Sequence, residues 1–280
     1  MIVTSNIGEV RQHRWANANY TWGLVPTMGY LHEGHLSLVR LSLAENDKTA
    51  VSIFVNPAQF APTEDLSSYP RNLEGDLALL EAAGVDLVFT PNDDVMYPPD
   101  FQTTISLSRV TQPLEGSSRP THFAGVATVV AKLFNIVQPT RSYFGQKDAQ
   151  QTIVLRQLVR DLNFNLEMVI GPTVREPDGL AMSSRNALLS GENREAAPVL
   201  FRALSAAKTA YEAGERSGEV LRQIMQQTIT AVPQARVDYV SAADPRTLAE
   251  LDVVKHGVLL STAVFFGHTR LIDNILIEGD

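Results

Sequence analysis

Between Thr21 and Ile170 the chain alternates short β-rich runs with longer amphipathic stretches. That alternation restricts the fold to βαβ units, a parallel sheet with helices laid over it. The runs that read as strands are Trp22–Val25, Ala50–Val55, Asp86–Phe89, Ser142–Phe144 and Leu166–Ile170. Val51-Ser-Ile-Phe-Val55 is apolar on both faces, which suits an interior parallel strand. Helices are expected near Gly34–Glu45, Leu73–Ala83, Gly125–Val137 and Asp148–Leu162. The first three strands run into turn chemistry: Pro26-Thr-Met-Gly29, Asn56-Pro57 and Thr90-Pro91. Loops therefore collect at the carboxyl ends of the strands, where open α/β sheets bind their ligands.

After about Thr173 the rhythm changes. Helical stretches at Glu192–Glu212 and Gly218–Ala231 precede strand-like runs at Val237–Ser241, Val258–Phe266 and Leu271–Ile277. The expected organisation is a Rossmann-like α/β domain over 1–173 and a smaller α+β domain over 174–280, joined near Gly171-Pro172. A chain of 280 residues, 44% hydrophobic, has enough apolar sequence for a buried core in each.

Charge and residue usage narrow the function classes. With 23 basic and 31 acidic residues the formal net charge is −8, so the broad positive footprint of phosphate-backbone binding is missing and nucleic acid is not an expected partner. The absence of cysteine removes disulfides, thiolate metal ligands and thioester intermediates together. Glu9, Arg11 and Arg14 interrupt the N-terminal apolar residues, so no secretory h-region forms there, and Val258–Phe266 is too short to span a bilayer. A soluble cytoplasmic protein with no membrane partner is expected.

No Gly-x-Gly occurs and no glycine precedes a lysine, which excludes the dinucleotide fingerprint and the Walker phosphate loop. The strongest local signal is Val25-Pro-Thr-Met-Gly-Tyr-Leu-His32-Glu-Gly34-His35: a strand exit through a glycine turn into two histidines at the start of a helical run. A spacing of three sets both imidazoles on one helix face. Gly34 between them leaves room for a flat ring against the backbone, and the first helical amides favour an anion. A zinc protease motif needs His-Glu-x-x-His, which this is not.

Three further clusters lie on expected loops. Asn56 and Gln59 close the second strand with amides able to pair with hydroxyl and carboxylate groups, Asn56 being equally suited to capping a turn. Gly145-Gln146-Lys147-Asp148 opens a helix after the fourth strand, and Asp148 is also a candidate helix cap. Asp178-Gly-Leu-Ala-Met182-Ser183-Ser184-Arg185-Asn186 sets two hydroxyls beside a guanidinium, a donor set suited to phosphate oxygens or to an ordinary polar loop. No Gly-x-Ser-x-Gly elbow supports a serine nucleophile.

Taken in order, these blocks resemble the pantothenate synthetase (pantoate–beta-alanine ligase) family of the His-x-Gly-His nucleotidyltransferase superfamily. The resemblance rests on Val25-Pro-Thr-Met-Gly with His32-Glu-Gly-His35, on Ser52-Ile-Phe-Val-Asn-Pro-x-Gln-Phe60, on Tyr69-Pro-Arg71, and on Leu114-Glu-Gly-x-x-Arg119-Pro. Phe144-Gly-x-Lys-Asp-x-Gln-Gln151 and Asp178-Gly-Leu-Ala-x-Ser-Ser-Arg-Asn186 complete it, so it spans essentially the whole chain. Three departures stand out: Gln146 where the family usually has Glu, Thr121 in place of the Gly of Pro-Gly-His-Phe, and Ala149 where an aromatic commonly follows Lys-Asp.

The resemblance implies a nucleotidyltransferase-type sheet and an enzyme that condenses pantoate with beta-alanine. Pantoate would attack the α-phosphorus of ATP to give pantoyl adenylate and pyrophosphate, and the beta-alanine amine would then displace AMP. It implies catalytic roles for His32, His35, Lys147 and Arg185. Nucleotide contacts fall at Met28, Gly34, Gly145, Asp148, Met182, Ser183, Ser184 and Arg185, and pantoate contacts at Asn56, Gln59, Gln151 and Met28. Mg²⁺ would be carried mainly on the ATP phosphates with no protein metal site, the second domain would act as a lid, and the chain would form a homodimer.

Overall fold

The structure is a computed structural model, and it describes residues 1–61, 64 and 66–279. Two elements precede the first expected strand: Ile2–Thr4 (β1) and Ile7–Ala16 (α1). Trp22–Thr27 (β2), Glu33–Glu45 (α2), Lys48–Ile53 (β3), Leu73–Ala83 (α3) and Leu87–Phe89 (β4) follow. After the short helices Asp93–Met96 (α4) and Glu115–Ser118 (α5) come His122–Val137 (α6), Arg141–Gly145 (β5), Ala149–Asp161 (α7) and Glu167–Gly171 (β6).

β1 to β6 form one parallel sheet in the order β1-β4-β3-β2-β5-β6. The winding reverses between β2 and β5, because α2 leads from β2 to β3 on one side while α7 leads from β5 to β6 on the other. β2 and β5 pair only at Gly23 with Arg141 and Leu24 with Ser142. Beyond those residues the two strands part, and the loops leaving them open a crevice at the reversal, where this sheet class holds its ligands.

Apolar side chains cover both faces of the sheet. Val10 of α1, the inner side of α6 from Val126 to Val137, and Leu155 and Leu158 of α7 pack on one face against Leu24, Ala50, Phe54 and Phe89. Leu38 and Val39 of α2 and Leu80 of α3 cover the other face, over Val25, Val51, Val88 and Tyr143. At about 1.5–3 kcal/mol per fully buried large aliphatic or aromatic side chain, these layers dominate the stability of the sheet.

The remainder of the chain builds a second sheet. Gly191–Ala196 (α8), Val199–Glu212 (α9) and Gly218–Thr230 (α10) are followed by the antiparallel strands Ala235–Ala243 (β7), Gly257–Phe266 (β8) and Thr269–Glu278 (β9). Leu200, Ala203, Leu204, Leu221, Met225 and Ile229 bury against Val258, Leu260, Val264 and Phe266 in a core of their own.

Several boundaries differ from the sequence reading for identifiable reasons. The helix expected over Glu192–Glu212 is two helices, since Pro198 lacks an N–H and clashes with the carbonyl of the turn before it. β3 stops at Ile53 instead of Val55, because Asn56 turns the chain into a 3₁₀ turn at Pro57–Gln59. Asp148 is not a helix cap through its side chain; it ends a 3₁₀ turn, Gln146–Asp148, and α7 starts one residue later. β1 and α1 escaped the pattern because Ile2 and Val3 lie exposed on an edge strand and α1 has one buried residue, Val10.

Candidate active site

Every residue expected from the sequence to act in catalysis or to touch nucleotide or pantoate borders a single cavity of about 900 Å³. Its walls are the loops after β2, β3 and β5, the inner side of α6, the segment from Pro172 to Arg185, and the faces of β8 and β9.

The β2 exit is fixed by a residue the sequence reading passed over. Asp76 of α3 is 3% exposed, and its carboxylate accepts the backbone N–H of Tyr30 at 2.8 Å and of Leu31 at 2.7 Å. Thr27 tightens the same loop, donating its hydroxyl to the Ser52 carbonyl at 2.8 Å while accepting the Gly29 N–H at 3.2 Å. Met28 is thereby held at the cavity wall, with its sulfur 3.2 Å from the Gln59 side-chain nitrogen.

His32 is the N-cap of α2, so it precedes the helix instead of sharing its face with His35. Its Nδ1 accepts the Gly34 N–H at 3.1 Å, and the Nδ1 of His35 accepts the His32 N–H at 3.3 Å. The rings lie 4.1 Å apart. With both Nδ1 atoms accepting, each neutral ring carries its proton on Nε2 and is a donor there. Burial pushes the His32 pKa down to about 4, with Lys147 adding to the effect and Asp148 and Glu176 opposing it. Burial, then His32 and Lys147, push His35 down to about 3. Both rings are therefore uncharged donors at neutral pH. A Cβ on Gly34 would stand 2.9 Å from His32 Cε1 and 3.8 Å from Met182 Cβ. The flat ring that lies over this glycine is thus His32 itself, with Met182 beyond it.

Asn56 is 1% exposed and fully bonded. Its oxygen accepts from Tyr97 at 2.7 Å and from the Ala58 N–H at 3.3 Å, and its nitrogen donates to Gln59 Oε1 at 3.0 Å and to the Gly125 carbonyl at 3.2 Å. It positions Gln59 and leaves no bond for a substrate. Among the described residues Gln59 Nε2 meets only the weakly accepting Met28 sulfur, so a ligand oxygen would gain that donor. The Gln59 carbonyl accepts from His122 Nδ1 at 3.0 Å and from Arg119 at 3.3 Å. Gly125 lets the turn settle on α6, since a Cβ there would come within 2.2 Å of the Ala58 carbonyl oxygen. Gln151, a lining residue on α7, has no side-chain hydrogen bond among the described residues.

Lys147 Nζ lies 3.8 Å from Asp148, and Gly145 precedes them at the end of β5. Ser183, also lining the cavity, caps its 3₁₀ turn by accepting the Arg185 N–H at 3.3 Å, which leaves its hydroxyl proton to donate. Ser184 donates to the Tyr30 carbonyl at 3.3 Å, so its hydroxyl proton is engaged on the β2 loop. The Arg185 guanidinium sits over the Tyr69 ring at 5.7 Å. Three buried hydroxyl oxygens, Ser52, Thr173 and Ser261, have no partner among the described residues, and all three residues line this cavity.

Charged residues close the far end. Arg270 of β9 makes bonds of 2.7 and 2.8 Å to Glu115 and of 2.7 Å to Asp238, while Arg119 grips Glu64 at 2.7 and 2.6 Å. Burial works to raise the Glu115 pKa, but the Arg270 bonds prevail and hold it below the ordinary glutamate value. Among the described residues no group of three His, Asp or Glu is placed to hold a metal ion, and no helix is long and apolar enough to cross a membrane.

Residues 2–276 match the pantoate-beta-alanine ligase family. A pantothenate synthetase of Herpetosiphon aurantiacus is 59% identical over 280 residues, covering 99% of this chain and 100% of that protein. One from Chloroflexus aggregans is 60% identical over 278 residues, covering 99% and 100%. Among solved structures, pantothenate synthetase of Thermus thermophilus superposes with a TM-score of 0.94 at 48% identity, over 98% of this chain and 99% of that one. The pantoate-beta-alanine ligase of Francisella tularensis, solved with beta-gamma ATP and beta-alanine, gives a TM-score of 0.81 at 35% identity over 99% and 97%.

Proposed function

This chain belongs to the pantoate–beta-alanine ligase family, and from that premise we propose how its own residues perform the ATP-dependent joining of pantoate to beta-alanine. The observation that carries the reading is convergence: fourteen residues drawn from four separate stretches of sequence border one cavity at the reversal point of the sheet.

In the first half-reaction a pantoate carboxylate oxygen bonds to the α-phosphorus of ATP as the bond to the pyrophosphate oxygen breaks. Such a transfer is accelerated chiefly by alignment and by donors aimed at the charge that develops. His32 and His35 offer neutral Nε2–H donors, Lys147 a full positive charge, and Ser183 and Arg185 a hydroxyl and a guanidinium. Neutral imidazoles suit this task, since they donate without repelling Lys147. Pantoate lies in the lobe lined by Pro26, Phe54, Val126, Val129 and Val130, with Gln59 and Gln151 meeting its polar groups. Asp148, half-exposed beside Lys147, takes the ribose hydroxyls. Mg²⁺ would enter as part of the nucleotide substrate and neutralise its phosphates; of the carboxylates lining the cavity, Glu64, Glu115, Asp238 and Asp273 are paired with arginines and Asp148 lies beside Lys147.

In the second half-reaction the beta-alanine amine attacks the acyl carbon, AMP leaves, and the amine releases a proton to solvent. No covalent enzyme intermediate is required, which agrees with the lack of cysteine. The acyl adenylate must be kept from water, and we assign that task to residues 174–280 as a lid over the domain formed by 1–173, within a cytoplasmic homodimer. A lid that stays still in solution scattering when ATP is added would argue against that part.

The test is exchange of labelled pyrophosphate into ATP. Exchange that needs pantoate but not beta-alanine, with AMP release needing both, is the expected result. Exchange supported equally without pantoate would overturn the reading.

A further inference from the structure

Lys147 sits on a turn between β5 and α7 that is also bonded from the second sheet. Asn274 of β9, 4% exposed, reaches across from the second sheet and donates both side-chain N–H groups to that turn. One bond goes to the Lys147 carbonyl at 2.8 Å and the other to the Gln146 carbonyl at 3.0 Å. Its remaining polar atom, Oδ1, accepts Gln146 Nε2 at 3.0 Å. All three bonds of one buried amide therefore hold the two residues that aim the lysine.

The amide is held in turn. Its backbone N–H donates to Asp273 at 2.8 Å, and Asp273, 2% exposed, receives Arg175 at 2.6 and 3.0 Å. Arg175 also donates to the Gly179 carbonyl at 3.1 Å and lies over the Phe201 ring at 4.0 Å. A continuous chain of bonds thus runs from the lysine turn, through β9, to the loop that leads into Met182 and Ser183. Buried networks of this kind fix a unique geometry when every member is satisfied.

Gln146 is what satisfies this one. With both N–H groups of Asn274 committed to carbonyls, Oδ1 needs a donor, and the Gln146 amide supplies it. A glutamate there would set a carboxylate against Oδ1, or force the asparagine to turn over and abandon the two carbonyls. Gln146 and Asn274 are complementary, so the departure at 146 has a structural counterpart 128 residues further along.

We infer that Asn274 is a positioning residue for Lys147, with Gln146 as its matched partner, so that the second sheet sets the geometry of adenylate formation. The inference rests on the proposed role of Lys147, which the experiment checks separately. Pantoate-dependent pyrophosphate exchange is measured for the full-length protein and for Asn274→Ala, Lys147→Ala, the double variant and Gln146→Glu, with the melting temperature of each. A donor displaced by a fraction of an ångström costs on the order of tenfold in rate. Asn274→Ala is expected to lower kcat for exchange about tenfold with the pantoate KM within about twofold, and to have little further effect in the Lys147→Ala background. Gln146→Glu is expected to reproduce the loss. Equal losses from Asn274→Ala in both backgrounds would overturn the inference, as would an unchanged kcat. If Asn274→Ala fails to fold, Asn274→Asp, which keeps the volume but loses the donors, replaces it in the same cycle. Full activity in Lys147→Ala alone would instead refute the role given to Lys147.

Discussion

Gln59→Ala separates pantoate binding from everything else in the cavity. In the free protein the Gln59 amide is held from one side, Oε1 accepting from Asn56 at 3.0 Å, while Nε2 faces the Met28 sulfur at 3.2 Å. Truncation removes that donor and leaves Asn56 its bonds to Gly125, Tyr97 and Ala58. The scaffold therefore loses one neutral hydrogen bond, about 1 kcal/mol, or about 2–4 °C in melting temperature. The ligand loses more, because a pantoate oxygen buried in an otherwise apolar lobe is left unpaired at about 1–3 kcal/mol. At a factor of ten per 1.4 kcal/mol this is roughly a 5- to 150-fold rise in the pantoate KM. The ATP KM should stay within about threefold, since the only nucleotide contact whose partner changes is Met28, which loses a weak bond to its sulfur. The assay is initial-rate pyrophosphate exchange with each substrate varied in turn. Equal weakening of both substrates, or an unchanged pantoate KM, would refute the placement of Gln59 against pantoate.

The remaining predictions concern the histidines and two glycines. The unfolded chain protonates His32 and His35 near 6.5, whereas the folded chain resists until about 4 and 3, so stability is full above 6.5 and falls as the pH drops through that window. Melting temperatures between pH 7 and 5 should decline, less steeply in His35→Gln than in the parent; identical slopes would contradict the burial assigned to His35. Gly34→Ala sets a methyl 2.9 Å from the His32 ring, and exchange should slow roughly tenfold with little change in melting temperature. An unaltered rate would show that the His32 orientation is not critical. Gly125→Ala drives a methyl into the Ala58 carbonyl at 2.2 Å. An overpacking cost of about 1–3 kcal/mol and a raised pantoate KM should appear together in thermal denaturation and exchange, because the displaced turn carries Gln59.

Much of this was legible in the sequence because it is local. Alternating runs gave the parallel strands, the apolar faces of Val51–Val55 gave an interior β3, and Met28, His32, Gln59, Lys147 and Ser183 all stand one turn beyond a strand end or loop glycine, where ligand sites form. What escaped depends on distance along the chain. Asp76 looks like an ordinary helical acid until its carboxylate is found on the Tyr30 and Leu31 amides, 46 and 45 residues away. Asn274 sits in a strand with no motif to mark it, 127 residues from the lysine it braces. For Asn56 the capping alternative read from the sequence is the one the fold uses, and Ser184, a ligand contact by family resemblance, spends its hydroxyl proton on the Tyr30 carbonyl. Side-chain chemistry states what a residue offers; only the three-dimensional arrangement shows whether a protein partner has already taken it.

The central claim is that a pantoate oxygen becomes bonded to phosphorus in this cavity. Pantoate labelled with ¹⁸O in its carboxylate, turned over with ATP and beta-alanine, tests it by mass spectrometry of the products. One ¹⁸O atom in the AMP phosphate is the predicted outcome, since the later amine attack cleaves the acyl carbon–oxygen bond. Unlabelled AMP, or label in the pyrophosphate, would contradict it.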